Sequence, residues 1–249
     1  MFKIVVSDAK TWKNFMSAIA TLVEEATFDV RPEGISLRAM DPSHVAMVDF
    51  ELPAAGFQEY TCDQPSKLCV DVGDILKLMR RVESGETLEL SHAPQTGHLS
   101  MKLTGRYVRR FSAPLLQPAT SDMPVPKLAF DAKVRMDADC LNDAISDIGG
   151  ISEQARFEAN PDRFVLNGLS ETGNVVIEFE KSNEAVLEFN VNAEIKALYG
   201  VSFLQDIIRA GTSTSKVVTV EFSTDKPVKL DFELPLKGKL TYYLAPRLE

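Results

Sequence analysis

The chain has 249 residues, of which 45% are apolar and 25% charged, a composition typical of a globular protein with a buried core. Its net charge of −9 argues against a general affinity for nucleic acid, unless basic residues are segregated on one face. The start of the chain predicts a strand rather than a signal peptide, and no stretch is apolar for long enough to span a membrane. Cys62, Cys69 and Cys140 form no C-x-x-C pair, and their odd number favours a reducing, intracellular compartment.

The chain repeats its own pattern at an offset of about 129 residues. The matching segments are 2–8 with 130–137, 34–51 with 163–180, 72–80 with 201–209, and 110–114 with 242–246. Because the matches keep their order along the chain, we expect two copies of one domain. Prolines 114, 118, 124 and 126 indicate an extended linker between the copies. The predicted boundaries are 1–113 for the N-terminal domain, 114–127 for the connector and 128–249 for the C-terminal domain.

Each half contains a strand, a helix, several short strands, a second helix and then three strands. Such an order predicts an α+β chain of mostly antiparallel sheet with two helices per repeat. The first helix, expected over 8–23, begins at a capping Asp8 and carries one apolar stripe. Its opposite face carries Lys10 and Lys13.

Basic residues also lie on the outward faces of later helices. The second helix places Lys77, Arg80 and Arg81 outward, and its counterpart in the second half has Arg209, followed by Lys216. These faces are either ordinary solvated surfaces or a surface that binds phosphates. No recognition-helix pattern accompanies them, so readout of bases is not expected. The third helix, expected over 137–151, instead carries Asp139, Asp143 and Asp147 with no Lys or Arg among them.

Residues 34–50 predict a strand, a tight turn at Asp41-Pro42-Ser43 and a second strand. Met40, His44, Val45 and Met47 gather around that turn. A small apolar cluster beside an exposed loop either grips a partner or closes the edge of a core.

No catalytic motif is present. The sequence lacks a G-x-x-x-x-G-K-[ST] phosphate loop, a G-x-G-x-x-G after a strand and an H-E-x-x-H. His92 and His98 flank a predicted hairpin turn, a pattern that favours a polar turn over a metal pair. Asp41 and His44 have neither a nucleophile nor an orienting group, which favours loop capping. We therefore expect no active site, no metal and no cofactor.

Four segments resemble the DNA sliding clamp of the archaeal and eukaryotic type, the proliferating cell nuclear antigen family. They are GISLRAMDPSHVAMVDF (34–50), YTCD (60–63), YGVSFL (199–204) and LTYYLAPR (240–247). The resemblance covers essentially the whole chain, and it is closer to archaeal members because the sequence stops at Glu249 without a longer acidic tail. It implies a DNA clamp fold whose subunits form a head-to-tail homotrimer, a ring of six similar domains. It also implies a non-enzymatic processivity factor that encircles duplex DNA without sequence preference.

The family resemblance assigns roles to particular residues. Duplex phosphates would be bound by Lys10, Lys13, Lys77, Arg80, Arg81, Arg209 and Lys216. Polymerase, clamp loader, flap endonuclease and DNA ligase would insert a short helical motif between Met40, His44, Val45, Met47, Val125, Pro126, Pro227, Tyr243, Ala245 and Pro246. Subunits would join through Arg109, Arg110, Phe111 and Ser112 of one chain and Val175, Val176, Ile177 and Phe179 of the next. The expected location is the cytoplasm and nucleoid of an archaeon, or the nucleus of a eukaryote.

The acidic third helix departs from the family, in which this helix usually carries Lys or Arg. Residues 1–113 hold 13 basic and 15 acidic side chains, whereas 114–249 hold 14 and 21, so the second half is expected to bind DNA less well. Three alternatives remain open: one subunit of a heterotrimeric clamp, a protein-only scaffold without DNA, and a hydrolase using Asp41 and His44.

Overall fold

The computed structural model describes residues 1–93, 95–118, 123–124, 126–171 and 173–247. Its contacts divide the chain into two compact units. The first unit comprises Met1–Pro42, Val48–Met123 and Leu234–Leu240, and the second comprises Ser43–Met47, Pro124–Glu233 and Thr241–Glu249. Val125 lies outside the described residues. The boundaries predicted at 113/114 and 127/128 stay a prediction.

The first unit consists of short strands and two helices. Its strands are β1 (Phe2–Val6), β2 (Glu25–Arg31), β3 (Gly34–Met40), β4 (Ala46–Pro53, most of which belongs to this unit), β5 (Glu59–Cys62), β6 (Ser66–Asp71), β7 (Thr87–His92), β8 (His98–Thr104) and β9 (Val108–Pro114). Its helices are α1 (Ala9–Ala20) and α2 (Val72–Leu78). Two strands meet at the turn predicted within 34–50, which confirms that strand–turn–strand prediction.

The second unit has the same kinds of element in the same order. Its strands are β10 (Ala132–Asp137), β11 (Gln154–Asn160), β12 (Arg163–Ser170), β13 (Gly173–Glu180), β14 (Val186–Val191), β15 (Ile195–Gly200), β16 (Val217–Phe222), β17 (Val228–Glu233) and β18 (Lys239–Leu244, most of which belongs to this unit). Its helices are α3 (Ala138–Gly149) and α4 (Val201–Thr212).

Within each unit the strands are paired in two series with matching orders. In the first unit these orders are β5-β1-β7-β8-β9 and β4-β3-β2-β6; in the second they are β14-β10-β16-β17-β18 and β13-β12-β11-β15. Strand for strand, the second unit reproduces the first. The α+β fold of two repeated domains with two helices each is therefore confirmed.

Helix α1 is shorter than its sequence pattern predicts. Asp8 lies outside the helix as its cap and accepts hydrogen bonds from the N–H groups of Lys10 and Thr11 at 3.3 Å. The helix ends at Ala20 because the chain tightens there, with Leu22 N donating to Ile19 O at 3.2 Å. Leu22 and Val23 remain buried, so the apolar stripe continues beyond the helix itself. Helix α3 likewise ends at Gly149, two residues before its predicted end.

The capping carboxylate of Asp8 makes a pH-dependent contribution to stability. Burial acts to raise its pKa, but hydrogen bonds from Thr11, Lys10 and Gly85 outweigh burial and lower the pKa below the usual 3.8. A lowered folded-state pKa means that the cap stabilises the fold above the unfolded pKa. That stabilisation is lost as the pH falls through the folded pKa.

The core of the second unit includes one place where only glycine fits. Gly211 of α4 faces the ring of Phe232 on β17, and that ring is completely buried. A Cβ atom at Gly211 would lie 2.2 to 2.4 Å from three ring carbons, well inside van der Waals contact. Because the ring is enclosed, it has no free space into which to move.

We expect Gly211→Ala to destabilise the protein by about 2 kcal/mol, since overpacking outweighs the better helix propensity of alanine. Urea unfolding followed by circular dichroism measures the change. The matched control is Gly149→Ala in α3, where the three atoms nearest to the new methyl all belong to the end of the flexible Gln205 side chain. A Gly211 variant as stable as the Gly149 variant would contradict the prediction.

No helix among the described residues combines the length and apolarity needed to cross a membrane.

Candidate nucleic-acid, partner and subunit surfaces

The predicted phosphate-binding residues of the first unit lie on α1, on α2 and just after α2. The two helices pack against each other. The Lys13 ammonium donates to the Arg80 carbonyl oxygen at 3.2 Å, so these two predicted residues are brought together. Lys10, Lys77, Arg80 and Arg81 are exposed. Lys77 pairs with Asp74 at 2.7 Å, and that hydrogen bond raises the pKa of Lys77, which is thus charged at neutral pH.

The second unit presents Arg209 and Lys216 at its surface, and Lys216 lies beside a carboxylate. Arg209 is exposed in the last turn of α4, which packs against α3. The Lys216 ammonium donates to the Asp139 carboxylate at 2.7 Å, and this hydrogen bond raises the pKa of Lys216. Asp143 and Asp147 are exposed farther along α3. Exposed ion pairs contribute little to stability, so a phosphate could replace Asp139 as the partner of Lys216.

A nearly buried ion pair, absent from the sequence prediction, organises the loop after α2. Arg109 of β9 donates from Nη2 to Glu86 Oε1 at 2.6 Å and contacts the second carboxylate oxygen as well. Its Nη1 donates to the Arg81 carbonyl oxygen at 3.0 Å. The guanidinium also lies over the Tyr107 ring, 5.5 Å from its centroid. Arg109 therefore links the edge strand β9 to the loop that carries Arg81.

Glu86, the acidic partner in this pair, also accepts hydrogen bonds from two neighbouring segments. Its carboxylate accepts a hydrogen bond from the Glu83 N–H at 3.0 Å, and its carbonyl accepts one from the Ala9 N–H at the start of α1. Sequence reasoning predicted that Arg109 lies in the subunit interface. Its backbone does lie on an edge strand, but its side chain binds within its own chain. No local pattern signals this contact, because Glu86 reads as an ordinary polar turn residue.

We expect Arg109→Met to destabilise the protein by about 3 kcal/mol, because the Glu86 carboxylate would remain buried without its cation. Thermal and urea unfolding measure the loss. Arg110→Met is the matched control, since Arg110 is the next residue of β9 and is exposed. Equal losses for the two variants would mean that the Glu86 pair is not the cause.

The loop after β3 contains residues predicted to bind partners. In the first unit, Met40 is half-buried and Asp41 is buried at 4% exposure. In the second unit, His44 is exposed with a left-handed φ of 58°, Val45 is half-buried and Met47 is buried at 6% exposure. The residues of the predicted cluster therefore differ in solvent exposure. His44 and Val45 are accessible, whereas the Met47 side chain belongs mostly to the core.

Within the second unit, several predicted partner-binding segments are joined by hydrogen bonds. The Ala245 N–H donates to the Val45 carbonyl at 2.9 Å, bringing the loop and the C-terminal segment together. The turn before Pro227 is held by the Tyr199 hydroxyl, which donates to the Lys226 carbonyl at 2.8 Å. Half-buried side chains in these segments are Pro126, Pro227, Ala245 and Pro246, and Tyr243 is 9% exposed.

The residues predicted to join subunits lie on two strands that end their sheets. Strand β9 is the last strand of the first unit's five-stranded sheet, and β13 is the first of the second unit's four-stranded sheet. Both pair regularly with their inner neighbours, β9 from Val108 to Pro114 and β13 from Gly173 to Glu180. Phe111, Val175 and Ile177 are half-buried on these strands, and Val176 is 50% exposed.

Metal-binding geometry is absent from the described parts of the chain, where no three His, Cys, Asp or Glu side chains are placed to share an ion. His92 Nδ1 lies 3.2 Å from the His98 carbonyl oxygen, a contact that closes the hairpin. The three cysteines are free, and burial raises the pKa of the Cys62 and Cys140 thiols.

The two halves of the chain match two family models. Residues 1–109 match the N-terminal domain of proliferating cell nuclear antigen, and residues 124–247 match its C-terminal domain. The DNA polymerase sliding clamp of Thermofilum pendens is 35% identical over 249 residues, covering all of both chains. DNA polymerase sliding clamp 1 of Pyrobaculum aerophilum is 33% identical, over 97% of this chain and 96% of that protein.

Solved structures agree with the family models. The proliferating cell nuclear antigen of Thermococcus kodakaraensis superposes with a TM-score of 0.94 at 27% identity, covering 99% of this chain and 100% of that chain. That of A. fulgidus, solved with the C-terminal region of FEN-1 bound, superposes with a TM-score of 0.90 at 26% identity, over 100% and 99%. This family consists of non-enzymatic processivity factors, so the hydrolase alternative has no support. The chain belongs to the proliferating cell nuclear antigen family of DNA polymerase sliding clamps.

Proposed function

We propose that three copies of the chain join head to tail into a ring that encircles duplex DNA and tethers replication and repair enzymes. One observation carries the ring: β9 and β13 are long, regular edge strands with apolar side chains left exposed. Edge strands of this kind present unpaired N–H and C=O groups that another chain can complete. A contact between two different surfaces closes into a ring when its rotation permits.

Exposed apolar side chains concentrate at these two edges. Tyr107, just before β9, and Val108, its first residue, are 62% and 47% exposed. Leu169, beside β13, is 77% exposed, and Val176 within β13 is 50% exposed. Joining β9 of one copy to β13 of the next would cover them. The half-buried Phe111, Val175 and Ile177 would then extend the core on the helix-facing side.

Other sheet edges are less suited to pairing. Strand β14 has a register shift opposite Arg135 and Met136, and such a bulge twists an edge away from a new partner. Strand β5 spans only four residues. Strands β6 and β15 already carry bridges from Leu116 and Arg247 of the same chain. These features favour β9 and β13 as the joining strands.

Charge at the two edges is complementary. Arg110 is exposed on β9, whereas Glu178 and Glu180 are exposed on β13. The acidic helix α3 packs beside β13, and Arg81 is tied to β9 through Arg109. A head-to-tail junction would therefore bring carboxylates toward guanidinium groups. The acidic charge of α3 is unusual for a surface that faces DNA. In the proposed ring this charge would contribute to the contact between subunits.

Duplex DNA would be held through its phosphates by Lys10, Lys13, Lys77, Arg80, Arg81, Arg209 and Lys216. Contacts of this type carry no sequence information, so the ring could slide. The first unit would contribute most, because Lys216 shares its surface with Asp139.

Partner enzymes would dock at the surface formed by His44, Val45, Ala245 and Pro246 together with Met40, Val125, Pro126, Pro227, Met47 and Tyr243. The A. fulgidus relative binds the C-terminal region of FEN-1, which supports a flap endonuclease as one partner. Polymerase, clamp loader and ligase are proposed from the family. In an archaeal cell such a protein would work in the cytoplasm at the nucleoid.

We expect light scattering behind gel filtration to give a mass three times 27.5 kDa. Val176→Lys should raise the concentration for half-dissociation by about tenfold, because it removes an apolar contact and adds a cation opposite the Arg110 edge. The matched control is Leu187→Lys on β14, whose parent side chain is 52% exposed.

A monomeric wild type would instead support the heterotrimer alternative. Equal dissociation of the Val176 and Leu187 variants would argue against β13 as the joining strand.

We expect Lys77→Ala/Arg80→Ala/Arg81→Ala to lower polymerase processivity on primed circular DNA. In titrations of labelled duplex, a plot of log affinity against log salt has a negative slope. The magnitude of that slope should decrease by about 2 to 3 in this variant. The control is Lys3→Ala/Lys102→Ala/Lys133→Ala, which removes the same charge from sheet residues. Unchanged processivity in the first variant would support a protein-only scaffold.

A further inference from the structure

A nearly buried ion pair of the first unit reaches the connector. Arg38 of β3 donates from Nη2 to both carboxylate oxygens of Asp49 on β4, at 3.0 and 3.2 Å. Its Nη1 donates to the backbone carbonyl oxygen of Met123 at 2.8 Å. The Arg38 side chain is 22% exposed and that of Asp49 is 11% exposed. One guanidinium therefore joins a sheet carboxylate to a connector carbonyl.

The orientation of this guanidinium is set by Asp49 and Met123. Arg38 Nε is buried without a hydrogen-bond partner in the part of the chain that the structure describes. Leaving a buried donor unsatisfied costs free energy, which the two Nη contacts must offset. Nη2 contacts both oxygens of Asp49 while Nη1 contacts Met123, so the two nitrogens together hold the planar guanidinium in one orientation.

Met123 is a position where a side-chain donor is especially effective. The next residue is Pro124, and Pro126 follows it closely. Proline has no backbone N–H, and it restricts the residue before it to extended conformations. Such a segment has few donors of its own with which to bind a sheet, but its carbonyl groups remain free to accept. Fixing the Met123 carbonyl therefore restrains the peptide between Met123 and Pro124, where the proline segment begins.

Two further hydrogen bonds hold the beginning of the connector, where the Leu115 N–H donates to the Gly97 carbonyl at 2.9 Å. The Leu116 N–H donates to the Cys69 carbonyl at 2.8 Å on β6. Arg38 and Met123 also line a groove of about 470 Å³ together with Met40 and Asp49. Met40 is one of the residues proposed to bind partners, so the Arg38 contact lies beside that surface.

We propose that Arg38, oriented by Asp49, is a positioning residue for partner docking. It does not contact the partner. It holds the connector at Met123, so that Pro124, the next residue, is already in place when a partner arrives. Preorganisation of this kind raises affinity because the connector need not be ordered during binding. The inference rests on the proposed docking of partners at this surface.

The test compares Arg38→Met with wild type in the full-length protein. Methionine keeps much of the side-chain volume but removes every donor. Isothermal titration with a synthetic peptide of the C-terminal region of A. fulgidus FEN-1 should show about tenfold weaker binding, the value of one charge-assisted hydrogen bond. Hydrogen exchange at the Met123 and Lys127 amides should become faster. Arg38→Lys should bind the peptide with an affinity between those of Arg38→Met and wild type. A lysine ammonium cannot contact Asp49 and Met123 together as the guanidinium does.

The matched control is Arg135→Met. Arg135 pairs with Glu233 at 3.2 Å on strands of the second unit, and among the described residues it makes no hydrogen bond to the connector. It should leave the peptide affinity and the connector exchange unchanged. All measurements are made at a temperature where circular dichroism shows every variant folded, so that loss of stability alone cannot mimic the effect.

Two results would overturn the proposal: peptide affinity of Arg38→Met within about twofold of wild type, or unchanged exchange at Met123 and Lys127. If wild type itself does not bind the peptide, the proposed partner surface fails. The exchange measurement requires no partner, so it decides separately whether Arg38 holds the connector.

Discussion

The proposed ring depends on the unpaired backbone N–H and C=O groups of two edge strands. Strands β9 and β13 end their sheets with regular backbones and exposed apolar side chains. An isolated chain leaves these groups to water, whereas a neighbouring copy would satisfy them along seven or eight residues. The same strands also position chemistry inside the chain, since Arg109 of β9 holds the loop carrying Arg81. Proposed ring closure and proposed DNA contact therefore depend on one strand.

The positions of individual charged side chains matter more for this protein than its net charge. A protein of net charge −9 could bind an anionic polymer only if its cations were gathered and oriented. Here Lys13 and Arg109 bind the carbonyl groups of Arg80 and Arg81, leaving those two side chains exposed. The nearly buried pairs Arg109–Glu86 and Arg38–Asp49 act differently, because in each the arginine also binds a backbone carbonyl of another segment. Exposed pairs such as Lys216–Asp139 remain easy to exchange.

Periodicity and turn chemistry alone predicted the architecture. Alternating strands, two amphipathic helices per repeat and the internal match at about 129 residues predicted two copies of an antiparallel α+β domain. The capping role of Asp8 and the turn after Met40 were also legible, because both depend on residues close together in sequence. Helix ends were less accurate, since the apolar stripe of α1 continues through Leu22 and Val23 after the helix has ended. The roles of surface residues came from family resemblance, and they remain proposals.

Only the tertiary structure decided which side chains meet. Arg109 and Glu86 are 23 residues apart in sequence, Lys216 and Asp139 are 77 apart, and Arg38 and Met123 are 85 apart. A pattern of alternation tells which face of a strand a residue occupies, but it does not tell which loop covers that face. The burial of Met47 could not be predicted from the sequence for the same reason. Its exposure depends on packing around the strand rather than on its position in the motif. Sequence thus determined the elements and their faces, whereas packing determined the contacts between distant segments.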